Sequence, residues 1–332
     1  MFDTDITKSS AAGSGILSKL KHLGRERIAL AFGSAVMFFL IFSSLRTNYI
    51  QGISPGRFWM MKLSWCECAD MVLAGNSRVY RGLSPAQMQN HLPSMRIYNY
   101  AFSGQGFSDS YLQALEKVLD KNAPRKIIVL GIGPHALTKN SVEKNGYQKY
   151  AGMAFRERLV CRYLAYPLRW FRPLSPREIQ NFIHWKVEKF YQHFHADGWI
   201  ESWMEPEDPQ RDISLARKKP PLTDPNRIIS QTVMDNLIET VAKWRALEIE
   251  VYGFRTPVGA ELSKLQNYKT KYDEEGFIER FEEAGGKWLS INPDDYHRYD
   301  GSHLNPESAL TLSRDLARLI KESDPPDNKI KR

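Results

Sequence analysis

Short apolar runs alternate with amphipathic segments along most of the chain after residue 70. The apolar runs lie at 71–74, 95–98, 127–130, 249–254 and 288–291. The segments between and after them carry helix caps or apolar residues at helical spacing, at 84–88, 108–119, 227–247, 273–284 and 306–320. Strands of parallel sheets are buried on both faces and therefore read as continuous apolar runs. The alternation predicts an α/β fold with a parallel sheet flanked by helices.

This rhythm breaks between residues 138 and 225, where Trp, Tyr, Phe, Lys and Arg are abundant. We predict helices at 153–170 and 176–193 and interpret 138–225 as an inserted helical subdomain. The α/β domain then comprises 46–137 and 226–323. Aromatic rings and Arg side chains suit a platform for a glycan or a lipid. A helical layer packed on the domain explains the same composition.

The N-terminal region contains eighteen consecutive residues without a charge, at 28–45. A transmembrane helix needs about 20 apolar residues, with a range of about 17 to 25. Lys and Arg cluster at 19–27, so the positive-inside rule keeps 1–27 cytoplasmic, as a disordered basic segment, and the main domain periplasmic or extracellular. A buried core helix and a cleaved signal peptide are the alternatives to this anchor. Residues 324–332 read as a polar tail.

The overall composition restricts the class of protein further. The 332 residues, 42% of them hydrophobic, are enough for a core that needs no disulfides. The net charge of +8 comes from scattered Lys and Arg, without zinc-finger or RNA-recognition signatures, which argues against nucleic acid. A membrane surface or an acidic glycan suits this charge. A bridge from Cys66 or Cys68 to Cys161 and three reduced cysteines both remain open.

One strand end carries the first candidate for chemistry. The run 71–74 ends at Gly75 and leads into Asn76, Ser77 and Arg78. Ligands of open α/β sheets bind just beyond the carboxyl ends of the strands, so Ser77 lies where a nucleophile would be presented. The same residues are also ordinary turn formers.

A second stretch, Asp300-Gly301-Ser302-His303, supplies what a serine nucleophile lacks. A serine hydroxyl needs a base to accept its proton, and that base needs an acid that orients it and stabilises its cation. Asp300 and His303 provide both groups from one loop. Taken alone, the loop also reads as a turn before a capped helix. Together with Ser77 it predicts a Ser77–His303–Asp300 triad.

These motifs resemble those of the SGNH hydrolases, also called GDSL-type esterases and acyltransferases. Gly75-Asn76-Ser77 matches the first block of the family, residues 300–303 match the last, and Asn99 with Gly104 resembles the second. The resemblance implies a flavodoxin-like sheet and an oxyanion hole that includes the backbone N–H groups of Ser77 and Gly104. We count Asn76 and Arg78, which flank Ser77, among the oxyanion or substrate residues.

The third block departs from the family pattern. Family members usually read Gly-x-Asn-Asp, whereas this chain has Gly131-Ile132-Gly133-Pro134-His135, without the Asn. Either a backbone N–H of the loop from Gly131 to Gly133 or the side chain of His135 replaces that donor, or the oxyanion hole is weakened. Arg255 follows another strand, where it either binds an anionic or polyhydroxylated substrate group or forms an ion pair.

A more particular resemblance is to membrane-anchored SGNH proteins of envelope polysaccharide modification, of the alginate acetylation and teichoic-acid D-alanylation types. The shared ending is Tyr-Asp-Gly-Ser-His-Leu, at 299–304. The resemblance implies a serine acyltransferase or esterase that acts on O-acyl groups of an envelope or exported polysaccharide, without a cofactor. Its implied partners are a multi-pass membrane O-acyltransferase and the polysaccharide acceptor. A plain esterase and a non-catalytic glycan-binding or assembly protein are the alternatives.

His193-x-His195, followed by Asp197, looks like part of a metal site. The segment falls at the end of a predicted helix, and residues two apart do not share one helical face. We therefore expect no metal site in this chain.

Overall fold

The computed structural model describes residues 26–38, 48–65, 67–168, 179, 188–218 and 224–323. Two units divide the chain, and residues 26–38 belong to the smaller one. These residues are helical, with exposed side chains. Within the described ranges, no helix is both long enough and apolar enough to cross a membrane. The predicted anchor, tail and N-terminal segment lie partly or wholly outside these ranges.

The larger unit is built on five parallel strands, which confirms the predicted α/β class with a parallel sheet flanked by helices. Across the sheet, the strands lie in the order 97–99, 71–75, 126–132, 249–255 and 287–288. The first, third and fourth of these strands in the sequence form the centre of the sheet. The register pairs Gly75 with Gly131 and Gly131 with Phe254. The strands are β2 (Met71–Gly75), β3 (Ile97–Asn99), β4 (Lys126–Ile132), β7 (Ile249–Arg255) and β8 (Lys287–Trp288).

The helices around this sheet begin at the polar caps that the sequence contains. Ser108, Ser230 and Asn305 each accept a hydrogen bond from a backbone N–H in the first turn of a helix. The helices of the α/β domain are α1 (Pro55–Ser64), α2 (Ser77–Gly82), α3 (Pro85–Gln89), α4 (Asp109–Val118), α10 (Gln231–Ala246), α11 (Ala260–Thr270), α12 (Glu274–Glu283) and α13 (Pro306–Glu322). Helices α1 and α11 were not predicted from the sequence.

The region from 138 to 225 contains a second sheet, so the prediction of a helix reaching His193 was wrong. Strand β5 (Lys189–Phe194) lies between β1 (Asn48–Gly52), which is parallel to it, and β6 (Ile200–Glu205), which is antiparallel. Aromatic residues suit a half-buried pleated surface, and β6 alternates between buried and partly exposed positions. Pairing with distant β1 therefore decides the conformation of β5.

Short helices also lie among the described residues of the inserted region. They are α5 (Lys139–Glu143), α6 (Gly146–Ala151), α7 (Phe155–Leu159), α8 (Ala165–Leu168) and α9 (Arg211–Lys218). A π-helical segment, Val160–Leu164, joins α7 to α8. Cys161 lies in this segment and carries a free thiol, whereas Cys66 lies outside the described residues.

The turn between β5 and β6 packs against the central sheet next to the end of β3. A Cβ atom at Gly198 would lie 2.1 Å from the carbonyl oxygen of Asn99, so only glycine fits. Trp199 donates its Nε1–H to the backbone oxygen of Arg81, 2.9 Å away. Lys62 is buried nearby and donates from Nζ to the backbone oxygen of Ala101 at 2.8 Å. The second sheet is therefore fixed to the region around α2.

Candidate active site

Ser77 is presented at the carboxyl end of β2, the first strand of the central sheet. Gly75 has a φ of +146°, and a Cβ atom there would lie 2.8 Å from the carbonyl oxygen of Gly131. Asn76 then caps α2, because its Oδ1 accepts the backbone N–H of Arg78 at 3.0 Å. Ser77 is the first residue of that helix, whereas the sequence pattern indicates a turn. Its own backbone N–H consequently faces outward at a helix N-terminus.

The far end of α2 is anchored by Asn99. The buried side-chain amide of Asn99 donates to the backbone oxygens of Val79, at 3.0 Å, and Leu83, at 2.9 Å. Val79 O also accepts the backbone N–H of Leu83 at 3.0 Å, and Leu83 is the residue that follows the six-residue helix. The helix that carries Ser77 is therefore fixed at both ends.

His303 joins Ser77 to Asp300 through its two ring nitrogens. Its Nε2 lies 2.9 Å from Ser77 Oγ, and its Nδ1 lies 2.8 Å from Asp300 Oδ2. The other carboxylate oxygen of Asp300 accepts the backbone N–H groups of Ser302, at 3.0 Å, and His303, at 2.8 Å. Each of the three predicted triad residues thus lies within hydrogen-bonding distance of the next.

The electrostatics of the pair favour a carboxylate and a neutral imidazole. Burial acts to raise the pKa of Asp300, but the hydrogen bond and charge of His303 outweigh it and lower that pKa to about 2. Burial also lowers the pKa of His303, and the positive charge of Arg81 acts in the same direction, against the opposing effect of Asp300. At neutral pH, His303 is therefore unprotonated at Nε2 and able to accept the proton of Ser77.

Two further residues form hydrogen bonds within or to the loop at 300–303, which carries Asp300 and His303. Neither of them was predicted from the sequence. Ser302 donates a hydrogen bond from Oγ to Asp212, and the same oxygen lies 3.2 Å from His303 Nδ1. Asp212 comes from α9 in the inserted region, and its backbone N–H donates to the backbone oxygen of Asp300 at 3.1 Å. No local pattern connects residues so distant in sequence.

Arg81 is also absent from the predicted site, although its separation from Ser77 in the sequence could have indicated it. It follows Ser77 by four residues in α2, a separation that places two side chains on one helix face. Its Nη1 donates to the hydroxyl of Tyr299 at 3.1 Å, and that hydroxyl lies 3.1 Å from Ser202 Oγ. Arg81 therefore connects α2 to both the loop at 300–303 and β6.

Gly104 and Ser77 leave their backbone N–H groups without a hydrogen-bond acceptor among the described residues. Gly104 has a φ of +60°, and no atom lies within 4 Å of the place where its Cβ would be. Gly104 therefore borders open space, which leaves room for a bound group beside it.

The third-block glycines have different surroundings. A Cβ atom at Gly131 would lie 2.2 Å from Val79 Cγ2, so this glycine allows α2 to pack on β4. A Cβ atom at Gly133 would instead lie 3.5 Å from Arg78 Nη1 and 3.6 Å from Thr256 Oγ1. The Arg78 guanidinium thus occupies the space over Gly133. Burial and the charge of Arg255 lower the pKa of Arg78 to about 10, which leaves it protonated at neutral pH.

A cavity of about 450 Å³ lies beside this guanidinium. Its lining carries basic groups from several elements and one carboxylate: Arg78, His135, Arg227, Lys269 and Asp212. His135 is exposed and lines this cavity from a 3-10 helix, Pro134–Leu137, that follows β4. The cavity is large enough for a sugar unit and polar enough to hold one.

Arg255 lines a second cavity, of about 390 Å³. It donates to Asn267 Oδ1 at 2.9 Å and lies 3.8 Å from the carboxylate of Glu274. Its Nε and Nη1 atoms are buried and have no hydrogen-bond partner in the described part of the chain. The structure therefore separates Arg255 from the lining of the first cavity, although its charge acts on Arg78.

Two clusters of potential metal ligands exist among the residues that the structure describes. One comprises Asp212, Asp300 and His303, whose hydrogen bonds build the site above. The other comprises His193, His195 and Glu201 on the second sheet. Asp197, which the sequence analysis grouped with the two histidines, instead accepts the backbone N–H groups of Ala86 and Trp199.

Comparison with models of known families and with curated proteins finds no match for this chain. Its function must therefore be argued from the geometry of the site.

Proposed function

We propose that this protein is a serine acyltransferase or esterase of the SGNH type, acting through Ser77, His303 and Asp300. One observation carries the proposal: Ser77 Oγ lies 2.9 Å from an imidazole nitrogen whose other nitrogen lies 2.8 Å from a buried carboxylate. The parallel strands have the order 2-1-3-4-5, which supports a flavodoxin-like sheet with its ligand beyond the strand ends.

In the first half-reaction, Ser77 Oγ attacks the carbonyl carbon of an ester or thioester while His303 Nε2 accepts its proton. The backbone N–H groups of Ser77 and Gly104 donate to the oxyanion of the tetrahedral intermediate. Arg78, positioned over Gly133, contributes a charged donor in place of the side-chain amide that SGNH enzymes carry in their third block. The intermediate then expels the alcohol or thiol, which takes the proton from His303, and leaves an acyl-enzyme.

In the second half-reaction, His303 removes a proton from an acceptor hydroxyl or from water. The resulting oxygen attacks the acyl carbon and releases Ser77, which regains its proton from His303. The basic lining of the neighbouring cavity suits an acidic, polyhydroxylated acceptor, so O-acyl groups of an envelope or exported polysaccharide are the substrates we propose.

The same proposal includes the cellular setting. The uncharged run at 28–45, preceded by basic residues, serves as an anchor that leaves the α/β domain outside the cytoplasm. A multi-pass membrane O-acyltransferase supplies the acyl group, and the acceptor is the polysaccharide. Fusing a reporter to the C-terminus tests the orientation: activity of a periplasm-dependent reporter is expected, and activity of a cytoplasm-dependent one contradicts it.

A fluorophosphonate probe, which reacts only with activated serines, tests the chemistry directly. We expect the full chain to be labelled and Ser77→Ala and His303→Ala to lose the label. The exposed Ser64 and the surface-paired His297 provide matched controls, so Ser64→Ala and His297→Ala are expected to label like wild type. Labelling of folded wild type no stronger than that of Ser77→Ala would overturn the proposal and favour a glycan-binding protein.

Turnover of p-nitrophenyl acetate then separates the two enzyme classes. A transferase must hold its acyl-enzyme against water until an acceptor binds. Rapid turnover without an acceptor indicates an esterase, whereas turnover that rises on addition of an acidic polysaccharide indicates a transferase.

A further inference from the structure

The outward face of the second sheet brings two imidazoles and a carboxylate together. Side chains two residues apart lie on the same face of an extended chain. His193 in β5 and His195, which directly follows β5, therefore point to the same side of the sheet. Glu201 is the register partner of His193 on the antiparallel strand β6. In a helix His193 and His195 would not share a face, whereas the observed strand conformation of this segment places them on one side.

The distances among these groups match those between ligands of a zinc ion. Glu201 Oε2 lies 3.3 Å from His195 Nε2 and 3.7 Å from His193 Nδ1. All three atoms lie within 4.8 Å of one another. Tetrahedral zinc, with bonds of about 2.0–2.2 Å, separates its ligand atoms by about 3.3–3.5 Å. The two imidazole rings stack at 4.2 Å with 28° between their planes, so coordination of one ion tilts them until His193 Nδ1 and His195 Nε2 point to a common centre.

Both imidazole rings are held in these orientations by their neighbours. A Cβ atom at Gly52 would lie 2.9 Å from His193 Nε2, so β1 packs against that edge of the ring, and Nδ1 is the nitrogen that lies near Glu201. The ring of His195 stacks between those of Trp199, at 4.6 Å, and His193, at 4.2 Å. Both side chains are therefore ordered before an ion binds, which limits the conformational freedom that they lose on binding.

We propose that His193 Nδ1, His195 Nε2 and Glu201 Oε2 form a binding site for one borderline divalent cation of the zinc class. Two imidazoles and one carboxylate favour zinc over magnesium or calcium, which prefer oxygen ligands. Three protein ligands leave a coordination position for water. Because Trp199 stacks on His195 and donates to Arg81 in the nucleophile helix, the bound ion stabilises the turn that contacts α2.

Titration of the chelator-treated full chain with Zn²⁺, followed by isothermal calorimetry, tests this site. We expect one Zn²⁺ per chain, unaffected by millimolar Mg²⁺, and a rise in Tm that saturates with Zn²⁺. Loss of even an outer ligand contact costs about 10–100-fold in metal affinity, so His193→Ala and Glu201→Gln should each weaken binding by about 100-fold or more. Co²⁺ should give visible absorption bands that Glu201→Gln removes.

His297→Ala is the matched control, since His297 also lies against a glutamate, Glu207, at 2.6 Å but belongs to no cluster of three potential metal ligands among the described residues. This variant should bind Zn²⁺ like wild type. Absence of binding by wild type, or equal weakening by His297→Ala, would overturn the proposal. Zn²⁺ held by cysteine thiols elsewhere would survive Glu201→Gln, which preserves size and folding, and would overturn it too. Probe labelling of Ser77 is scored separately, so the two proposals fail independently.

Discussion

His297 and His303, six residues apart in one loop, each pair with a carboxylate, but the two pairs have different surroundings. His297 lies 2.6 Å from Glu207, closer than the 2.8 Å between His303 and Asp300. The side chains of the first pair are 52% and 39% exposed, whereas those of the second are 15% and 8% exposed. A short distance between an imidazole and a carboxylate therefore does not by itself distinguish the two pairs. Their burial does, and so does the group on the other ring nitrogen.

The third partner differs between the two pairs. The imidazole of His303 has Ser77 Oγ on its remaining nitrogen, and Asp300 is held by two backbone N–H groups of its own loop. Water surrounds the exposed pair and screens it, so an exposed ion pair contributes little to stability or orientation. Only the buried pair can keep one tautomer and one ring orientation through a reaction.

Removing the acid from each pair should separate them most strongly. We expect Asp300→Asn to lower kcat by about 10⁴-fold, because an amide at this position favours the wrong imidazole tautomer. The matched substitution Glu207→Gln should leave kcat within about 2-fold of wild type. Steady-state turnover of p-nitrophenyl acetate measures both, and equal loss in the two variants would refute the distinction.

The contrast also explains what the sequence could predict. Apolar runs ending in glycine located the central strands and Ser77, and the local Asp-x-x-His spacing located Asp300 and His303, because each pattern lies within a few residues. Asp212 and the strand β5 escaped prediction because their roles depend on partners far away in the chain. The aromatic run at 189–194 has no local preference strong enough to exclude a helix before β1 pairs with it.

The positive charge beside the buried pair distinguishes it further. Arg78 lies over Gly133, and the exposed pair has no such guanidinium in its described contacts. We expect Arg78→Met, which keeps an unbranched apolar stem without the guanidinium, to lower kcat by about 10²–10³-fold, the usual cost of one oxyanion donor. KM for a small neutral ester should change much less. A loss confined to KM would assign Arg78 to substrate binding instead.

The smallest expected effect is on the pH dependence of kcat/KM. Burial and the charges of Arg81 and Arg78 lower the pKa of His303, so His303 is neutral at pH 7. Activity should therefore be level near pH 7 and fall about tenfold per pH unit only below the ordinary histidine pKa of about 6.5. Arg78→Met removes one of the charges that disfavour the imidazolium, so its residual activity should begin to fall at a higher pH than that of wild type. An unchanged or downward shift would show that the Arg78 charge does not act on His303.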